Sequence, residues 1–243
     1  MPPASRGPGA AGYRPSGPVP VGPGGPVAAG SGSADADAAA RWYDAVILAG
    51  GRARRLGGAD KPGLVVGGRT LAGAVLAAAT GAAGVVVVGP ERRALRGIRP
   101  GGALRFVLED PPGAGPVAAL RRGIEEVSAP WFALLAADLP FLRPEHVHAL
   151  LTAAGPRAGA ILVDEGGRAQ WLIGCWRTGE MVRALGGYRG QSLGGLLAPM
   201  HPAAVTVETA PGEPPPWLDC DSPADLRLAR DWAARERRRG VGR

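Results

Sequence analysis

Apolar residues along the chain alternate between two patterns. Short continuous runs mark strands covered on both faces, and longer segments with apolar residues three and four apart mark helices. The runs are "DAVILA" at 44–49, "GVVVVG" at 84–89, "LRFVLE" at 104–109, "WFALLAA" at 131–137, "GAILVD" at 159–164, "QWLIGCW" at 170–176 and "AAVTVE" at 203–208. Helical spacing appears in "TLAGAVLAAAT" from Thr70, "GPVAALRRGIEEVS" from Gly115 and "PEHVHALLTAA" from Pro144. A last helix is predicted in "DSPADLRLARDWAARERRR". There Ser222 can cap the start, Pro223 takes the first helical position, Asp225 completes a capping box and arginines gather at the carboxyl end. Strands alternating with helices predict β-α-β units. The expected fold is therefore a single three-layer α/β/α domain around a mainly parallel, mixed sheet of about seven strands.

The pattern begins at Trp42. Residues 1–41 are dominated by Pro, Gly, Ser and Ala, too little apolar surface to offset the entropy of ordering, and they are expected to form a disordered tail. The folded domain is expected over 42–236, followed by a basic end at 237–243. No secretory h-region opens the chain and no run is long enough to span a membrane. Cys175 and Cys220 lie far apart in sequence, and a reducing, cytoplasmic setting is expected. The formal charge of +7 raises nucleic acid or an anionic substrate as a partner. Much of that excess sits in "RERRRGVGR", which reads as a solvated helix end, so nucleic acid is disfavoured.

Arginine serves every basic position except one, Lys61, and the chain has no Asn. A single lysine kept against this bias points to a place that needs a compact ammonium rather than a planar fork. It closes the stretch "LAGGRARRLGGADKPG" at 48–63, which leaves the first predicted strand at its carboxyl end. Open α/β sheets place their ligands at those ends. Paired glycines bring backbone N–H groups close to an anion, and the cations behind them neutralise it. Neither a Walker A loop nor a G-x-G-x-x-G fingerprint fits, because Pro62 follows Lys61 and the glycine spacing is wrong. "WFALLAADLP" sets Asp138 at the end of another strand, where one carboxylate is enough to begin a Mg²⁺ site completed by water and phosphates. His146 and His148 lie two apart on one helix and face different directions, so they form no zinc pair.

Leu48, Ala49, Gly50, Gly51, Arg55, Gly57, Lys61 and Pro62 spell L-A-G-G-x-x-x-R-x-G-x-x-x-K-P. This resembles the signature of nucleotidyltransferases with a glycosyltransferase-A-like fold, Rossmann-like and akin to nucleotide-diphospho-sugar transferases. It is closer still to the molybdenum cofactor guanylyltransferases. The resemblance runs from Asp44 to Trp232 and continues in "LEDPPGAGPVAAL", in the D-x-P of Asp138 and in "WLDCDSPADL". It implies transfer of GMP from GTP to the terminal phosphate of a molybdopterin-type cofactor, with release of pyrophosphate and a molybdoenzyme or its chaperone receiving the product. It further implies Arg55, Lys61 and Asp138 as catalytic residues. Leu48, Ala49, Gly50, Gly51, Lys61, Asp110, Gly115 and Asp138 would bind the nucleotide. Asp138, with Asp221, would hold Mg²⁺. Two departures stand out: Asp219 and Asp221 replace the family's asparagines, and Gly89 occupies a place where the family often has Asn near the nucleotide. The family's substrate half implies an edge hairpin and short helices over the pocket. There Gln170, Arg177 and Arg189 are weaker candidates for the acceptor phosphate, a plain strand with one buried aromatic being the simpler reading of Gln170 and Trp171. Alternatives remain open at this level: CTP with the same pterin, an NTP with a sugar phosphate or phospholactate, or a non-catalytic nucleotide-binding protein.

Overall fold

The computed structural model describes residues 27–28, 42–50, 60–92, 95 and 102–240. Gly51, Arg52, Arg54, Arg55, Gly57 and Gly58, most of the expected tail and the last three residues of the basic end lie outside them. All seven predicted strands form. They are β2 (Tyr43–Leu48), β5 (Gly84–Val88), β6 (Ala103–Val107), β7 (Trp131–Ala136), β8 (Gly159–Val163), β9 (Ala169–Arg177) and β10 (Ala203–Thr206). A two-residue strand, β1 (Val27–Ala28), comes from the stretch expected to be tail and pairs parallel with β10. A small separate hairpin is made of β3 (Val65–Val66) and β4 (Arg69–Thr70).

The main sheet has the order β1-β10-β8-β9-β7-β2-β5-β6. Every pairing is parallel except those of β9, which runs antiparallel to both β7 and β8. The expectation of an edge hairpin is thereby corrected, since β9 is paired on both sides and the β8–β9 hairpin lies inside the sheet. At an edge, this nine-residue apolar strand would leave a long row of peptide groups unpaired.

Among the described residues six helices form, the first five covering the sheet. These are α1 (Leu71–Ala78), α2 (Pro116–Ile124), α3 (Pro144–Ala154), α4 (Thr178–Gly187), α5 (Leu193–Leu197) and α6 (Pro223–Gly240). Side chains alternate across the strands, so the two faces hold separate cores. Ala45, Ile47, Val85, Val87, Ala133 and Leu135 pack with α1 and α3. Val46, Val86, Val88, Phe132, Leu134 and Trp176 pack with α2, α4 and α5. A third cluster, Val66, Leu71, Phe141, Cys220, Leu226, Ala229 and Ala233, fastens α6 to the β3–β4 hairpin.

The helix starts follow their sequence signals. Thr70 accepts the N–H of Gly73 at 3.1 Å ahead of α1. Ser222 and Asp225 exchange the bonds of a capping box ahead of α6, with Asp225 N–H to Ser222 Oγ at 3.2 Å and Ser222 N–H to Asp225 Oδ2 at 2.7 Å. Ahead of α3 the N–H of Arg143 donates to His146 Nδ1 at 3.0 Å, and burial of that imidazole holds its pKa below the ordinary value.

Helix α2 lies so close to the sheet that a Cβ on Gly123 would come within 2.6 Å of Val46 Cγ1 and 2.8 Å of Val88 Cγ2. Alanine is the better helix former by about 1 kcal/mol, but β-branched side chains on central strands have no room to yield. Gly123→Ala is expected to destabilise the fold by about 1–2 kcal/mol net, measured by urea denaturation.

Candidate functional site

Strands β7, β2 and β5 end level with one another, because Leu48 is in register with Ala136 on one side and Val88 on the other. The ladder continues one step further, through Ala137 N–H to Leu48 C=O at 3.1 Å and Ala49 N–H to Val88 C=O at 2.8 Å. Ala49–Gly50, Ala137–Asp138 and Gly89 therefore leave the sheet side by side. Chain connections run away in opposite directions from β2 and β7, the condition that opens a crevice at the carboxyl ends of a parallel sheet.

Lys61 reaches this crevice from a short 3₁₀ turn, Lys61–Gly63, anchored by the buried Pro62. Its Nζ donates to Asp138 Oδ2 and to Asp221 Oδ1, forming an ion pair with each. The lysine and Asp138 are largely enclosed, whereas the Asp221 side chain is 52% exposed and opens the group to solvent. The third core cluster assembles the triad. Phe141 follows Asp138, Cys220 precedes Asp221, and Val66 and Leu71 follow Lys61, so burying these apolar neighbours draws three distant segments together.

The electrostatics follow from the arrangement. Burial lowers the pKa of the Lys61 ammonium, but Asp138 and then Asp221 outweigh it and hold the group above its ordinary value. The lysine is charged throughout the neutral range. Protein packed on the inner side of Asp219, then the Asp221 and Asp138 carboxylates, push its carboxyl up to about 6. Burial above all pushes the Cys220 thiol up to about 12, so this cysteine is a packing residue and not a thiolate.

A divalent cation is compatible with this donor set. Asp138 Oδ1 is buried without a hydrogen-bond partner, while Oδ2 is taken by Lys61. An orphaned carboxylate oxygen beside a half-exposed second carboxylate suits a hard cation that takes one or two carboxylates and leaves its other positions to water and phosphate oxygens. Among the described residues no group of three His, Cys, Asp or Glu side chains gathers as a metal cage.

Of the candidates from sequence, Leu48, Ala49, Gly50, Lys61, Asp138 and Asp221 meet at the crevice. Asp110 and Gly115 lie on the loop between β6 and α2, at the same end of the sheet and two strands over. Asp110 is exposed, and Gly115, with φ 99°, sets the start of α2. Gly51 and Arg55 lie outside the described residues. The weaker acceptor candidates have other partners. Gln170 donates to Asp164 at 3.1 Å, and Arg189 to the Gly186 carbonyl at 3.0 Å. Arg177 pairs with Trp131, at the opposite end of β7 from Asp138, and stacks its guanidinium 4.5 Å from that ring's centre. Gly89 has a structural reason, since a Cβ there would come within 2.9 Å of the Ala49 carbonyl. An asparagine at this position would need a different backbone path.

Two residues escaped sequence reasoning. Arg92 donates to Asp60 at 2.8 Å and to the Ala49 carbonyl at 3.3 Å, tying together the two ends of the 51–59 segment. Glu109 is buried against Gly50. Arg92 is one arginine among many, and Glu109 looks like the last residue of a strand. Only an unusual spacing could have singled out either, and neither has one.

The chain is similar to known proteins. The family profile "MobA-like NTP transferase domain" matches residues 45–205. The molybdenum cofactor guanylyltransferase of Bradyrhizobium sp. (strain ORS 278) is 34% identical over 208 residues, which is 79% of this chain and 94% of that protein. The molybdenum cofactor guanylyltransferase of Acidiphilium cryptum is 32% identical over 206 residues, 80% of this chain and 97% of that protein. In fold, the chain resembles a nucleotidyl transferase from Methanothermobacter, with a TM-score of 0.67 at 20% identity over 80% of this chain and 99% of that one.

Two outcomes are expected. Lys61→Arg should fold normally but lose about 100-fold or more in turnover, because a wide guanidinium cannot stand as a point charge between two carboxylates. Arg92→Ala, by releasing both ends of the 51–59 segment, should weaken nucleoside triphosphate binding about tenfold by calorimetry, a change of about 1.4 kcal/mol.

Proposed function

The chain belongs to the MobA-like NTP transferase domain family, and we propose that it is a molybdenum cofactor guanylyltransferase. On this reading it moves GMP from GTP to the terminal phosphate of a molybdopterin-type cofactor and releases pyrophosphate. The observation that carries the reading is the Lys61–Asp138–Asp221 triad at the switch point of the sheet, with one Asp138 oxygen left unpartnered. The similarity to named guanylyltransferases over nearly their whole length supports the choice of nucleotide and acceptor.

The acceptor is a phosphate monoester, already anionic at neutral pH, so its attack on the α-phosphate of GTP needs no strong base. One oxygen–phosphorus bond forms to the acceptor as the bond to the pyrophosphate oxygen breaks. The protein's task is positioning and charge neutralisation. Backbone N–H groups around Gly50 and Gly51 would hold the phosphates, and Arg55 would balance their charge. Asp110 and Gly115 border the nucleoside. Lys61, fully protonated and held by its two carboxylates, stabilises charge growing at the α-phosphate. Asp138, with Asp221, would hold Mg²⁺, which when bound neutralises phosphate oxygens. The product would pass to a molybdoenzyme or its chaperone. A cytoplasmic setting belongs to the same reading, and no helix among the described residues is long and apolar enough to cross a membrane.

Titration calorimetry of GTP, CTP, ATP and UTP with Mg²⁺ tests the proposal, repeated with Lys61→Ala and Asp138→Ala. Selective GTP binding, weakened at least tenfold by each substitution, is expected. Preference for CTP would move the function to a cytidylyl transfer on the same fold, and no nucleotide binding would leave a non-catalytic protein.

A further inference from the structure

Lys61 and a divalent cation draw on the same two carboxylates. The ammonium donates to Asp138 Oδ2 and to Asp221 Oδ1, so each carboxylate that suits a cation already has one oxygen engaged by a positive charge. Asp138 Oδ1 is the buried oxygen of the group that has no partner. Two carboxylates and one ammonium leave a single net negative charge. A divalent cation added to this group would stand against the ammonium in a partly enclosed place, where like charges repel more strongly than in water. Both cannot keep the same seat.

The surroundings decide which of the three side chains is free to move. Asp138 follows β7, whose end is fixed by Ala137 N–H to Leu48 C=O at 3.1 Å. Asp221 stands between the buried Cys220 and the capping box that starts α6, with Ser222 N–H to Asp225 Oδ2 at 2.7 Å. The backbone of Lys61 is pinned as well, by the buried Pro62 and by Leu64 N–H to the Lys61 carbonyl at 3.0 Å. Its ammonium is different, because it ends a four-carbon stem whose bonds rotate. Among the described residues two of its three donors are spent on carboxylates. A triphosphate at the strand ends offers stronger negative charge and several acceptor oxygens.

We propose that Lys61 is a resident stand-in for the cation: it bridges Asp138 and Asp221 in the nucleotide-free protein, excludes a divalent cation arriving alone, and yields its seat when nucleotide phosphates draw the ammonium away. This rests on the nucleotidyl-transfer part of the reading above and not on the choice of base. Cation and nucleotide then favour each other's binding by equal factors, since such coupling is reciprocal. The residue type fits the task. Arginine would grip a carboxylate with two parallel hydrogen bonds and release it less readily than an ammonium does.

The test uses the full chain. Lys61 is its only lysine, so isotope-labelled lysine gives one set of side-chain NMR signals that reports this ammonium directly. GTP added with a chelator should shift the signals, whereas Mg²⁺ added without nucleotide should leave them in place. Mn²⁺ alone, followed by electron paramagnetic resonance, should bind Lys61→Met at least about tenfold more tightly than the unsubstituted protein. The same substitution should weaken GTP binding, and opposite changes for the two ligands are not what a damaged fold produces. The gain should vanish in Lys61→Met/Asp138→Asn. Mn²⁺ binding as tight to the unsubstituted protein as to Lys61→Met overturns the proposal, as does a gain that survives loss of the Asp138 carboxylate. Lysine signals unmoved by a nucleotide that binds overturn it without needing a variant. Signals moved by CTP and not by GTP overturn the guanylyltransferase reading and leave the role of Lys61 standing, and binding of no nucleotide overturns both.

Discussion

Repulsion between Asp138 and Asp221, relieved by the ammonium of Lys61, is the constraint around which the open end of the sheet is arranged. Two carboxylates brought together at a partly enclosed place would each disfavour the other's charge. A single compact cation between them removes that penalty and is itself held in the charged state. The arrangement leaves one Asp138 oxygen unmatched. The group is therefore balanced for the protein alone yet incomplete as a binding site, which suits a centre meant to receive phosphates together with a cation.

The scaffold makes this balance possible. A parallel sheet with both faces covered has nowhere to put polar chemistry except at its strand ends. The level endings of β7, β2 and β5 gather their loops into one crevice, and the small third core holds α6 and the β3–β4 hairpin against it. The third core carries the assembly of the triad, because its apolar residues are chain neighbours of all three charged ones. Weakening that cluster would disturb the charges without touching them.

Arg92 and Glu109 are both tied to the backbone that leaves β2. Arg92 spans Asp60 and the Ala49 carbonyl, bridging the residues on either side of 51–59. Glu109 is buried against Gly50 at the carboxyl end of β6, with one carboxylate oxygen unpartnered.

Much of this molecule is determined by sequence alone. The seven apolar runs became strands and the capping signals at Thr70 and Ser222 started helices as expected, since both depend on residues within a few positions of one another. Lys61 and Asp138 were visible because each breaks a local pattern, one as the sole lysine and the other as a charge ending an apolar run. Tertiary structure decided what local pattern cannot carry. It inserted β9 antiparallel between β7 and β8, because the pairing of a buried strand depends on which neighbours can satisfy its backbone groups. It also moved Arg177 to the far end of the sheet. It joined Lys61 to partners 77 and 160 residues away, and it left Glu109 buried with one oxygen unpaired. Contacts between distant segments are set by how the layers close on one another, and no spacing along the chain records them.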